Sequence, residues 1–400
     1  MKITENSSRK DPSFKPGMAH WILASVLTVV AMLSVRAAGR PKELVYIGTY
    51  TEHGSRGIYV SEFDPVNGSL ASPLLAAETS QPSFLAVSSD HKFLYAANEL
   101  NHFNGESAGA ISAFSIDSST GKLTLLDQVS SRDPGPAHVV LDGAGHFVLV
   151  ANYDGGSVAV FRLLPDGQIG ELTAFVRHQG SSVNRERQKT PHAHAIAMAP
   201  DNRFAIVADL GLDQLLVYPF DGSNGKLGTP RVVKTELGAG PRHLVFSGNG
   251  KFLYLINELA STITVYCYTL RDGAMAPVQT ISTLPSGFAG SNTAAEVLLH
   301  PSGKFLYASN RGDDNSIGVF AIDSRKGTLT FIEDVPSTGK IPRNFAIDPS
   351  GAWLLAANQD SNTVVTFRIN RESGHLTATG ASVEVKSPAM VDFLGFEQRK

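Results

Sequence analysis

The chain has a single cysteine in 400 residues, Cys267, so no internal disulfide can form and no cysteine pair can hold a metal. It has no His-Glu-x-x-His sequence, no aspartate-rich loop and no glycine-rich loop of the kind that cradles phosphate. The usual sequence grounds for a metal or nucleotide site are therefore missing. Its 34 Lys and Arg nearly balance 37 Asp and Glu, giving a net charge of −3, with no like-charge run and no interleaving of basic and aromatic residues. That excludes an electrostatic footprint for nucleic acid. One match to a serine-hydrolase pattern, Gly105-Glu106-Ser107-Ala108-Gly109, lies between two strands of a meander with no helix after it, so it cannot form a nucleophile elbow. What remains is 42% hydrophobic, 18% charged and carries 37 glycines, as a turn-rich all-β globular chain requires.

A segment of about fifty residues returns seven times. FLYAAN ends at Asn98, FVLVAN at Asn152, FAIVAD at Asp209, FLYLIN at Asn257, FLYASN at Asn310 and WLLAAN at Asn358, with VYIGT to Thr49 as a degenerate first copy. The separations are 49, 54, 57, 48, 53 and 48 residues. Short alternating strands at that period, with no helical stretch between them, predict an all-β, seven-bladed β-propeller with four antiparallel strands per blade. The first copy starts at a second strand, while SPAMVDFLG near the C-terminus looks like an inner strand with no successor. Segment 388–396 is therefore expected to supply the missing inner strand of blade 1 and close the ring, removing a free edge. One propeller domain over residues 44–396 results, although length alone would suggest more.

Residues 1–37 stand outside the repeat. Lys2, Arg9, Lys10 and Lys15 precede an uncharged run from Trp21 to Val35, which meets Val35-Arg36-Ala37. Basic start, apolar middle and small-residue exit describe a secretory signal peptide cut after Ala37; the alternative is an uncleaved N-terminal anchor over the charge-free window from Pro16 to Val35. Either places the propeller outside the cytoplasm, periplasmic or secreted.

Within a repeat, the inner strand a starts and the next strand b ends on the same rim of the channel. Arg242 and Glu258 are each eight residues from Gly250 at the hairpin tip and are expected to face each other, as are His194 with Asp209, Glu296 with Asn310, and Arg343 with Asn358. Asn at the end of strand b recurs and reads as a loop cap. The residue after it varies: Glu99, Tyr153, Leu210, Glu258, Arg311, Gln359. Near the start of strand a, one slot holds Ser83, Ala137, His194, Arg242, Ala295, Arg343 and Ala389, and the next holds Phe84, His138, Ala195, His243, Glu296, Asn344 and Met390. The long loop RHQGSSVNRERQKTPHAH is expected to add His178, Arg185, Arg187 and His192 to the same rim. Guanidinium, imidazole and carboxylate on one rim can bind an oxyanion, move a proton and activate water. A hydrated, salt-bridged rim without substrate is the competing reading. His192-x-His194 with Glu258 or Glu296 could be drawn as a metal site, but no supporting motif accompanies it, and none is expected.

The segments YIGTYTEHGSRGIYV, NRERQKTPHAH, ADLGLDQLLVY, GPRHLVF, NELASTITVY, AAEV, SNRGDDNSIGVF and IPRNFAIDPSG together resemble the lactonase family of seven-bladed propellers. That family contains propeller-type 6-phosphogluconolactonases and 3-carboxy-cis,cis-muconate cyclases. The likeness runs from about Val45 to the end of the repeats. Through its cyclase branch it implies a site of one histidine, two arginines and a glutamate, which the PHAH, GPRH, NE and NRG motifs place at His194 (or His192), Arg242, Glu258 and Arg311.

The expectation is thus an exported, cofactor-independent hydrolase, a monomer acting on a small sugar or carboxylated lactone. His194, Arg242, Glu258 and Arg311 are the catalytic candidates, and His138, His192, Arg187, His243, Glu296, Arg343, Asn344 and Gln359 are the substrate-binding ones. A muconate-type lactonising cyclase and a non-catalytic binding propeller are the alternatives. Because the rim is taken as partly hydrated, substitutions there are expected to leave the melting temperature nearly unchanged.

Overall fold

The computed structural model describes residues 43–394; the expected leader over 1–37 and the final two residues of the expected closing strand lie outside the described residues. Seven antiparallel sheets are present. Blade 5 shows the plan, with strand a at Pro241–Phe246, b at Phe252–Asn257, c at Thr262–Thr269 and d at Ala274–Ser282. Blade 1 is assembled from both ends of the chain: strand a, Pro388–Phe393, pairs with strand b, Glu43–Thr49, in a register that sets Tyr46 opposite Asp392 and Ile47 opposite Val391. The ring closes as the repeat pattern predicts. Among the described residues there is no α-helix, only a 3-10 turn at Thr51–His53.

Strand b is apolar along its length because neighbouring blades cover both of its faces. Phe147–Asn152 and Trp353–Asn358 are buried at every position, whereas the outer strand Leu376–Glu384 is largely exposed. Continuous apolar runs and alternating ones thus mark inner and outer strands respectively.

The blades interlock through the aromatic residue that opens strand b. Its ring rests on the glycine of the c–d turn in the following blade: Phe93 on Gly167, Phe252 on Gly327 and Phe305 on Gly374. A β-carbon at Gly327 would stand 2.4 Å from the Phe252 ring, and its φ of +73° is itself a glycine conformation, so both space and backbone require the residue. Tyr95 and Tyr307 add hydroxyl donors to the carbonyls of the same glycines, at 3.0 Å from Gly167 and 2.8 Å from Gly374. The fifty-residue period is therefore a period of seams as well as of strands.

Candidate active site in the channel funnel

A bulge at the mouth of strand a aims the candidate side chains. In blade 5, Pro241 pairs with Asn257 and His243 with Ile256, leaving Arg242 outside the ladder. His194 between Ala193 and Ala195, and Arg343 between Pro342 and Asn344, are set free in the same way. In blade 6 both Ala295 and Glu296 fall between Ala294, paired with Asn310, and Val297, paired with Ala308. Hairpin counting, which sets Arg242 opposite Glu258, is corrected by this slip, as are the pairings of His194 with Asp209, Glu296 with Asn310 and Arg343 with Asn358. An extra residue released from pairing bends its strand and redirects its side chain, here toward the channel.

The other half of the rim is fixed by backbone. Before strand a, Gln81, Gly135, Gly240, Ile341 and Ser387 all have positive φ. The carbonyls of the first four accept the N–H groups of Glu99, Tyr153, Glu258 and Gln359, the residues just past strand b. Ile341, at φ 57°, is β-branched, a placement that costs about 1–3 kcal/mol and persists only where surroundings impose it. The recurrent Asn acts as the expected cap: the side-chain amides of Asn152, Asn310 and Asn358 donate to the carbonyls of Ser131, Thr283 and Ser337 at 3.0–3.1 Å.

Three arginines converge on one carboxylate. Glu258 Oε1 accepts from Arg187 at 2.7 Å; its Oε2 accepts from Arg242 Nε at 3.0 Å and lies 3.0 Å from Arg311. Arg242 also donates to the Ala295 carbonyl (2.6 Å), Arg311 to that of Ala294 (3.1 Å) and Arg187 to the Tyr153 hydroxyl (3.0 Å). Arg242 is 2% exposed and Glu258 4%. The centre of the rim is therefore a buried ionic cluster and not the partly hydrated rim expected, so substitutions there are expected to lower stability. Burial alone would raise the carboxyl of Glu258, but Arg311, Arg242 and Arg187 outweigh it and hold it down at about 2.

His194 lies on the same cluster, its Nε2 3.9 Å from Glu258, too far for a hydrogen bond, and its buried Nδ1 has no partner. Burial, reinforced by Arg242, His243, Arg343 and Arg311, holds this imidazole well below its ordinary value. It is therefore neutral at pH 7.

Deeper in the channel, His243 Nδ1 lies 3.0 Å from both oxygens of Glu296, and Asn344 donates to the same carboxylate while accepting from the Val391 N–H at 2.9 Å. His138 packs on Phe84 with ring centroids 4.0 Å apart and edge-on to His243 at 5.3 Å. These residues line a cavity of about 40 Å³, space for a few waters. A larger cavity, about 410 Å³, opens at the opposite mouth between the a–b turns. The polar side chains there hold the turns: Asp142 accepts from the N–H groups of His146 and Phe147, Asn249 from that of Lys251, and Asn202 donates to Asp142 and accepts from the Gly143 N–H of the neighbouring blade. The ionisable cluster thus belongs to the funnel and not to the roomier mouth.

Not every expected residue joins it. His178 is buried away from the funnel, 2.6 Å from Asp209 and 3.0 Å from the Tyr218 hydroxyl, because Asp209 stands where other blades have the capping Asn and accepts a different partner. Arg185 is exposed, and the Gln359 amide turns to Asp360. His192 stacks on Tyr153 at 4.4 Å and approaches its carbonyl, bracing that ring. Three residues without an expected role do join. Tyr153 receives Arg187, and Tyr50 donates to Glu99 at 2.7 Å beneath Arg343, whose guanidinium lies 5.0 Å over the Tyr50 ring. Their signal was positional, since Tyr50, Glu99 and Tyr153 occupy the slot that Glu258 occupies in blade 5.

A seven-bladed propeller with a buried Arg-Glu-His cluster at one mouth of its channel defines a class of channel-site proteins. The family profile described as "Lactonase, 7-bladed beta-propeller" matches residues 44–393, and the chain belongs to that family. It is similar to the 6-phosphogluconolactonase of Bacillus subtilis, 34% identical over 88% of this chain and 99% of the relative. A second similar protein is the 6-phosphogluconolactonase of Formosa agariphila, 35% identical over 83% of this chain and 94% of the relative. Among solved structures, the Pseudomonas aeruginosa periplasmic gluconolactonase PpgL is similar at a TM-score of 0.84 and 35% identity, covering 88% of this chain and 99% of that one.

Proposed function

We propose that the chain is an exported lactone hydrolase that opens a sugar or carboxylated lactone in the funnel. The observation that carries this reading is the cluster itself, a neutral histidine with an unpartnered buried nitrogen beside three arginines held on one carboxylate. Lactonase names among relatives that match nearly end to end support the hydrolytic chemistry. The periplasmic description of PpgL and the leader-like N-terminus support export.

In this mechanism His194 takes a proton from water as the water oxygen bonds to the lactone carbonyl carbon. The carbonyl oxygen becomes an oxyanion, stabilised by Arg311, whose Nε lacks a protein partner, and by Arg187, the most exposed guanidinium on Glu258. Collapse of the tetrahedral intermediate breaks the ring C–O bond, and the imidazolium returns its proton to the departing alkoxide. Arg242, enclosed by Glu258 and the Ala295 carbonyl, braces the carboxylate that orients the other two. The test is acid release in a pH-stat from glucono-1,5-lactone and a panel of related lactones. Turnover should exceed the spontaneous rate and fall about a hundredfold or more in His194→Ala; wild-type protein that accelerates none of them would refute the reading.

A further inference from the structure

Four guanidiniums occupy the funnel, and three are committed: Arg187, Arg242 and Arg311 share Glu258 and each has a second acceptor. Arg343 differs. Among the described residues no carboxylate lies within ion-pair distance of it, and its one packing partner of note is the face of Tyr50, 5.0 Å from its centre. The hydrogen bond from Tyr50 to Glu99 fixes that ring, so the guanidinium rests on a rigid platform with its donors uncommitted. Arg343 is only half-buried and can meet a ligand. It also stands three blades round the ring from His194, nearly across the channel.

Charge narrows what it would meet. Among the described residues the carboxylates of the channel are already engaged, Glu258 by Arg187, Arg242 and Arg311, Glu296 by His243 and Asn344, and Glu99 by Tyr50, and none of them contacts Arg343. That guanidinium is left to meet a negative charge on the substrate, across the channel from His194 and so remote from the reacting carbonyl. A planar carboxylate fits one free guanidinium fork better than a phosphate dianion, whose added charge and oxygens would need donors that Glu258 already engages.

We infer that Arg343 is the specificity-determining residue of this site and selects lactones that carry a carboxylate at the end of the molecule away from the ring carbonyl. This rests on the hydrolase reading above for its chemistry, but the anion site can be measured separately. Hydrolysis of glucaro-1,4-lactone, glucono-1,4-lactone and 6-phosphoglucono-1,5-lactone would be compared, and binding of the open-chain acids glucarate, gluconate and 6-phosphogluconate followed by calorimetry. Wild type should favour the carboxylated lactone over the neutral one by roughly tenfold or more in kcat/KM, and glucarate over gluconate by a similar factor. Arg343→Ala should bring both ratios to about one, and Arg343→Lys should restore part of each. Because each ratio is taken within one protein, a general loss of folded enzyme cancels. Equal ratios in wild type and Arg343→Ala, or no preference in wild type, would overturn the inference; preference for the phosphorylated ligands would overturn the carboxylate assignment. If wild type hydrolyses none of the lactones yet binds glucarate through Arg343, the anion site stands and the hydrolase reading falls.

Discussion

Glu258→Gln separates a structural cluster from a decorative one. The wild-type carboxyl is held at about 2, against an ordinary value of 4.5, by Arg311, Arg242 and Arg187 acting against burial. Such a difference is worth about 3 kcal/mol of folding stability at neutral pH. It agrees with the roughly 3–5 kcal/mol lost when one partner of a buried ion pair is removed and the others remain. For some 350 folded residues, with an unfolding entropy of about 2.1 cal/mol/K per residue, that is a fall in Tm of about 4 °C. Because the folded value lies below the unfolded one, the stabilisation is fully present above about pH 4.5 and disappears as pH falls through about 2. The gap between wild type and Glu258→Gln in urea melts should therefore be constant from pH 7 to pH 5 and narrow steadily below that. Lactone hydrolysis, assayed where both proteins are folded, should drop about a hundredfold, since an amide cannot hold three guanidiniums in register for an oxyanion. Equal stability of the two proteins at pH 7, or a gap that does not depend on pH, would show that the arginines are not organised by this carboxylate.

The acid limb of kcat/KM should fall below pH 6.5, because the base His194 is held neutral by burial and its cationic neighbours; an inflection at 6.5 or above in the pH–rate profile would contradict its assignment as base. Deleting residues 388–400 removes the strand that pairs with Glu43–Thr49 and should lower Tm sharply, by far more than any single rim substitution, as read by calorimetry; an unchanged Tm would refute closure through this strand. Expression with the native N-terminus should yield a mature chain that begins near Ala38, by intact mass of the exported fraction. Met1 in a soluble cytoplasmic fraction would reject export, and Met1 in membranes would favour the anchor.

The sequence by itself determined the propeller, because blades are made by local interactions that repeat. Apolar runs ending in Asn at a fixed period and the orphan strand at the C-terminus are readable along the chain, and they fix blade number, strand order and ring closure. It also picked out the rim on which the ionisable residues gather, since the slots that start strand a and follow strand b vary from blade to blade. What those side chains do to one another was decided only in three dimensions. A bulge is a slip between two strands with no residue signature of its own, so counting from Gly250 could not reveal that Arg242 leaves the ladder. The hub at Glu258 gathers Arg187, 71 residues earlier, together with Arg311, 53 residues later, and distance along the chain carries no sign of that meeting. His178 reads on paper like its neighbours in the long loop, yet it is drawn to Asp209, because a buried carboxylate takes the partner that the packed blade brings within reach.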